Sequence, residues 1–230
     1  MEEMGIKFTA MGQEFLIHNT IVHSYLIVIG IVIFAFIANK KILETDPLEK
    51  PKGLVNILEI GYTAIRKQLY DVMGTGPTRE RLLPYIFTLV MFIAPANLIG
   101  LLGLAPPTSD YNVTLALALI TFFMTQYYGL KTNGLGGYIK GYFEPLPFLL
   151  PLNIVGELSN PISLSFRLFG NILSGGIIMG LVYGALGYLA PIAAPLHLYF
   201  DLFSGLVQTF IFMMLTMVFV GGNLPDEDGI

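Results

Sequence analysis

The chain has no cysteine among its 230 residues. That excludes disulfides, thiolate metal sites and cysteine nucleophiles together. Charge is scarce as well. Only 12% of the residues are Asp, Glu, Lys or Arg, against about 25% in ordinary soluble domains. Histidine occurs three times, as His18, His23 and His197. A formal net charge of −4 offers nothing to nucleic acid. No phosphate-cradling glycine loop, no His-Glu-x-x-His pair and no Gly-x-Ser-x-Gly elbow occurs. No internal repeat or low-complexity segment is visible. The first residues, with Glu2 and Glu3 where a basic region belongs, do not read as a signal peptide.

What is present is grease. The chain is 54% hydrophobic, which points to a membrane protein. A helix needs about 20 apolar residues to cross a ~30 Å hydrocarbon core. Spans are expected over about 20–38, then over an 82–130 helical hairpin interrupted by Pro95, with its second arm at 111–130 and a loop at 131–144. The apolar blocks 147–186 and 192–221 are long for upright crossings, so they are expected to tilt. Between the first two spans, Leu54, Leu58, Ile65, Leu69 and Val72 share one helical stripe, with Glu59, Arg66, Lys67 and Asp71 off it. This 48–73 segment reads as an amphipathic helix in the membrane interface. The other reading is a helix of a small soluble insert, but the insert is too short to bury a core. The fold class expected is therefore an all-α integral membrane protein, one membrane domain over 1–230, ending in a 147–221 helix pair.

Eight of the twelve Lys and Arg residues lie between 40 and 81: Lys40, Lys41, Lys50, Lys52, Arg66, Lys67, Arg79 and Arg81. Lys131 and Lys140 occupy the 131–144 loop, whereas 105–111 and 187–196 hold none. Positive loops stay in the cytoplasm. The N-terminus is thus expected outside and the C-terminus inside.

From Pro145 to Pro225 the ionised side chains are Glu157, Arg167 and Asp201. An arginine at membrane depth costs from ~3 to more than ~10 kcal/mol and does not lose its proton. One reading of Arg167 is a structural ion pair with Glu157 or Asp201. Glu157, however, lies ten residues away, roughly 15 Å of helix rise. Arg167 shares a face with Ser163, Asn171 and Ser174, and Gly170, Gly175 and Gly176 are small enough to admit a neighbouring helix. A second polar stripe, His197, Asp201, Ser204 and Gln208, runs down the last block. It reads as a line of water and ion ligands, or as polar groups satisfied within a core. Placed by depth, Glu157 serves the inner side and Asp201 the outer, with Arg167 between them.

The stretches "NPISLSFRLFGN" and "FDLFSGLVQTFIFMMLTMVFV" resemble the bacterial a subunit of the F-type ATP synthase, and the likeness extends over essentially the whole chain. The resemblance implies an ion-conducting stator with two offset half-paths for H⁺ or Na⁺. Arg167 would be the essential charge, and Asn171 and Gln208 its polar partners. Glu157, His197, Asp201 and Ser204 would line the paths. Implied partners are a ring of c subunits, a b-subunit stalk, the rest of the complex and the lipid bilayer of the cell inner membrane. No cofactor and no resident metal are implied, beyond transient Na⁺ in the path, and no ATP is expected to bind this chain itself. Many members carry Glu nine residues after the arginine, where this chain has Gly176. Many carry His seven residues before the glutamine, where it has Asp201. The outer carboxylate is therefore expected to have moved to the facing helix, near Gly176. A stand-alone secondary ion transporter is the alternative, although such proteins usually show inverted repeats.

Overall fold

The computed structural model describes residues 5–10, 13–46, 50–144 and 146–224. Two strands, β1 (Gly5–Ala10) and β2 (Gln13–His18), pair antiparallel, with Gly5 opposite His18. The sequence reading assigned no structure there. Among the described residues after His18, every regular element is a helix. The long helices are α1 (Asn19–Glu44), α2 (Leu54–Met73), α4 (Leu83–Leu98), α5 (Tyr111–Gly141), α6 (Leu150–Leu186) and α8 (Ser204–Gly221); α3 (Pro77–Glu80) and α7 (Ala194–His197) are single turns. Among the described residues, five stretches are long and apolar enough to cross a membrane: Asn19–Glu44, Pro77–Leu102, Tyr111–Gly141, Pro147–Leu186 and Pro191–Gly221. The expected all-α membrane architecture is what the chain adopts.

α8 is the hub. Its Met213, Met217 and Val220 meet Leu69 and Met73 of α2 and Leu83 and Ile86 of α4 in one buried cluster. Its Phe212 joins Leu89 and Ile93 of α4, Ala118 of α5, and Leu164 and Leu168 of α6 in a second. In lipid no hydrophobic drive pulls helices together, so close packing and interhelical hydrogen bonds must do so. Both are present. A Cβ on Gly221 would lie 3.0 Å from Met73 Cγ, and one on Gly205 would lie 3.2 Å from Asn97 Cβ. The Thr121 and Thr216 hydroxyls lie 3.3 Å apart across α5 and α8. α2 keeps its apolar stripe toward this core at Leu69, while Ile57 and Ile60 on its other side stay exposed. α1 is peripheral, pinned where the Thr20 hydroxyl donates to Asp110 Oδ2 at 3.1 Å and where His23 Nδ1 lies 2.8 Å from the Ala105 carbonyl.

Two boundaries differ from the sequence reading. The expected 131–144 loop is mostly helix. α5 continues to Gly141 but breaks at Gly134, whose φ of 67° and ψ of 167° only glycine adopts cheaply. The chain behind the break turns back over the start of α6. The last block is also not one helix. A 3₁₀ stretch (Gly187–Ala193) leads through α7 into a π-helical turn (Leu198–Phe203) before α8 begins. A π turn holds more residues than an α turn, so it rotates the helix that follows.

The two sides of α2 should respond differently to truncation. Leu69→Ala opens a cavity in the α2–α4–α8 cluster and is expected to cost about 2–5 kcal/mol. Ile57→Ala, on the exposed side, should stay within about 0.5 kcal/mol. Apparent melting temperatures of the detergent-solubilised chain measure both.

Candidate ion-path site

α5 and α6 run antiparallel. Tyr111 stacks on Phe166 and Phe169 at one end, Gln126 bonds Glu157 midway, and Asn153 donates to the Tyr142 carbonyl at the other end. This pairing leaves a cavity at each end of α6. The first, of about 520 Å³, lies under the fold-back that follows Gly134 and is lined by Tyr138, Tyr142, Asn153, Glu157, Asn160 and Asn223 among others. Six of its lining side chains are amides or phenols, so it suits water and cations. Beyond Glu157 and Asn160 a further void of about 10 Å³ reaches inward between Thr121, Thr125, Pro161 and Leu164. That is room for about one water.

The second cavity, of about 530 Å³, lies at the other end. Asn97, Ser109, Gly176, His197 and Asp201 line it. The two cavities share no lining residue. On α6 the first extends to Asn160 and the second begins at Ile172. The twelve helix steps from one to the other span roughly 18 Å.

Arg167 lies in that interval. Its side chain is exposed, and it makes no hydrogen bond or ion pair with another described residue. The alternative of an internal ion pair does not form. Glu157 Oε2 accepts from Gln126 Nε2 at 2.5 Å, and Asp201 Oδ2 lies 2.5 Å from His197 Nδ1. The far ring nitrogen of His197, Nε2, meets the Tyr183 hydroxyl. Asp201 thus sits on a His197–Tyr183 chain at the edge of the second cavity.

The two polar stripes fare differently. Asn171 donates to the Ser204 hydroxyl at 2.7 Å, so α6 and α8 join at the level of Arg167 by one pair from each stripe. Ser174 caps back onto the Asn171 carbonyl at 3.1 Å, and Ser163 is exposed beside Arg167. On the other helix the first three members of the stripe all meet α6. His197 and Asp201 meet the cavity, Ser204 turns to Asn171, and Gln208 is 4% exposed with Nε2 lacking a partner among the described residues.

The three glycines also divide. A Cβ on Gly175 would lie 3.6 Å from Phe200 Cβ, so it does face the neighbouring segment. A Cβ on Gly170 or Gly176 would meet nothing within 4 Å, so neither is a helix contact within this chain. Gly176 and Asp201 line the same cavity, with open space rather than crowding at Gly176.

Four site residues escaped the sequence reading. Asn97 of α4 is 1% exposed and lines the second cavity. Its Nδ2 donates to the Gly205 carbonyl at 3.1 Å and to Thr209 Oγ1 at 3.2 Å, while Oδ1 is buried without a partner among the described residues. Gln126, Tyr138 and Tyr183 are the others. An amide inside an apolar span was a usable signal for Asn97 and Gln126. Nothing local distinguishes the two tyrosines from packing residues.

The profile of the ATP synthase A chain family matches residues 21–221. The "ATP synthase subunit a, sodium ion specific" of Propionigenium modestum is 41% identical over 178 residues, 70% of this chain and 61% of that protein. The chain therefore spans less than two thirds of that relative's length. An "ATP synthase subunit a" of Moorella thermoacetica is 33% identical over 205 residues, 89% of each chain. An "ATP synthase subunit a 2" of a Bradyrhizobium strain is 42% identical over 172 residues, 74% of this chain and 75% of that one.

The glycine geometry yields a direct check. Gly176→Ala should leave thermal stability within about 0.5 kcal/mol of the parent chain. Gly175→Leu, which must displace Phe200, should cost about 1–3 kcal/mol. Melting curves of the two variants in one detergent decide it, and equal losses would contradict the arrangement.

Proposed function

The chain belongs to the ATP synthase A chain family, and from that premise we propose that it is the ion-conducting stator subunit of an F-type ATP synthase. It is a multi-pass membrane protein with five apolar helices long enough to span. In the proposed function it lies against a rotating ring of c subunits and beside a b-subunit stalk. The first cavity opens to the cytoplasm and the second to the exterior, with the N-terminus outside and the C-terminus inside. The observation that carries the reading is the separation of the two cavities along α6, with an exposed and unpaired arginine in the interval.

The chemistry follows from charge. A ring carboxylate that carries H⁺ or Na⁺ and comes to face Arg167 meets a fixed positive charge. An opposite charge at short range favours the ionised carboxylate. The ion therefore leaves as the carboxylate approaches. Released on the inner side, it passes the small void at Thr121 and Thr125 and exits by Glu157. The ionised carboxylate moves past Arg167 and reloads from the outer cavity, past Asp201 and His197. Asn171, Ser204 and Gln208 supply the polar surface at that level, and the unpartnered Gln208 Nε2 is a donor with room for a bond to a passing carboxylate or water. A free cation beside Arg167 is repelled, which stops a direct leak between the cavities. Each charge that crosses ~100 mV yields ~2.3 kcal/mol. Several crossings must be summed for one ATP, and rotation performs that sum. The sodium specificity of one relative makes Na⁺ the first ion to assay.

Arg167→Ala should abolish ion-driven ATP synthesis in complexes that still assemble, and Arg167→Lys should be nearly as damaging, because an ammonium lacks the planar fork. Synthesis at the parental rate in assembled Arg167→Ala complexes would overturn the assignment. Single cysteines at 157 and 201, in a chain with no native cysteine, should react with impermeant thiol reagents from opposite faces of the membrane. Labelling of both from one face would refute the two-path layout.

A further inference from the structure

Glu157 occupies an unusual position, lining both the large first cavity and the small void that leads inward from it. Its carboxylate is tied by one oxygen only. Oε2 accepts from Gln126 Nε2, and Oε1 has no hydrogen-bond partner among the described residues. Gln126 is itself held. Its Oε1 accepts from the Tyr138 hydroxyl, and the Tyr138 and Tyr142 hydroxyls lie 2.8 Å apart. The orientation of this chain is forced by chemistry. A carboxylate only accepts, so Gln126 must present its NH₂ to Glu157 and its carbonyl to Tyr138. Tyr138 spends its one hydroxyl hydrogen on that carbonyl, so Tyr142 donates to Tyr138.

The backbone delivers Tyr138 deliberately. The left-handed Gly134 turns the end of α5 back, and Gly129 has no side chain where the ring lands. A Cβ on Gly129 would lie 2.7 Å from Tyr138 Cε2. Two glycines on one helix therefore exist around a single ring whose hydroxyl ends on Gln126.

We propose that Gln126 and Tyr138 are positioning residues for the inner ion path, tethering Glu157 by one oxygen at the junction of the cavity and the void so that the other oxygen is free to receive the ion. The inference rests on the reading that the first cavity is that path. It goes beyond it in assigning a task to two residues that touch neither Arg167 nor the second cavity. Without the tether the carboxylate swings among several rotamers, and capture of an ion at the mouth requires a higher inner concentration. The turnover of the loaded motor is unchanged, because the steps at Arg167 do not involve these groups.

The test uses the whole ATP synthase in inverted membrane vesicles, where the inner face meets the bath. ATP-driven transport is followed while bath Na⁺ is titrated at fixed pH and, in a parallel series, bath proton concentration is titrated without Na⁺. The half-saturating concentration of whichever ion is transported is the readout. Tyr138→Phe keeps the ring in its Gly129 niche and removes only the hydroxyl, so it should fold. It is expected to raise that concentration about threefold, and Gln126→Leu about tenfold, with the maximal rate kept within about twofold. Tyr142→Phe, one bond further out, should have the smallest effect. An unchanged half-saturating concentration in both Tyr138→Phe and Gln126→Leu, or a fall in maximal rate alone, would overturn the proposal. Glu157→Gln in the same assay separates the two readings. If it shifts the concentration and the tether variants do not, only the tether fails. If it too shifts nothing, the assignment of the first cavity as the inner path fails with it.

Discussion

Arg167 carries its proton in any protein environment, and within this chain none of the described acids sits against it. A charge in that situation, on a mostly apolar helix, needs a counter-charge or water from outside the described chain. The rest of the arrangement is organised around that need. Glu157 and Asp201 are each engaged elsewhere, by Gln126 and by His197. The inward-facing work of α6 is done by Leu164 and Leu168, packed under Phe212 of α8. This leaves the opposite face, with Ser163, Phe166, Arg167 and Ser174, exposed for a partner. In the proposed function, an ion pair within the chain would occupy the guanidinium that a ring carboxylate has to meet.

The same logic explains why α8 is the hub. A helix that must hold α6 at a fixed depth cannot rely on the hydrophobic effect inside lipid. It relies on close backbone approach at Gly205 and Gly221, on threonine hydroxyls, and on the Asn171–Ser204 and Asn97–Gly205 hydrogen bonds. α1 stands at the edge of that frame, pinned by Thr20 and His23 at one end and burying Ala38 nearer the other.

Helix existence, order and the charged positions were legible in the sequence because hydropathy over 20 residues is a strong signal and because three ionised groups in eighty residues draw the eye. What escaped was of two kinds. Backbone irregularities escaped because Gly134 is one glycine among 25, and its left-handed conformation is decided by where Tyr138 must land, a tertiary fact. The π turn at Leu198–Phe203 has no residue-level signature. The hydrogen-bond partners escaped because they lie on a different helix. Gln126 is 31 residues from Glu157, and Asn97 is 108 from Gly205. Glycine identity alone also does not tell which glycines pack within the chain. Gly170 and Gly176 read as contacts and face open space, whereas Gly205 and Gly221, unremarked, are where helices meet.

The separation of the two cavities has an electrical consequence. In the proposed function, water filling each one carries the potential of its own bulk phase nearly to the cavity floor. The whole membrane voltage then falls over the roughly 18 Å of α6 between Asn160 and Ile172, in place of the ~30 Å of the hydrocarbon core. The local field is stronger by the ratio of those lengths, and it is aligned along the helix that carries Arg167. A fixed cation in a concentrated field feels a steady force toward one face of the membrane. The anchoring of α6 to its neighbours by Phe212, Asn171 and Ser204 is therefore also a mechanical brace, one that keeps the charge from creeping along the voltage while everything else in the path is free to move.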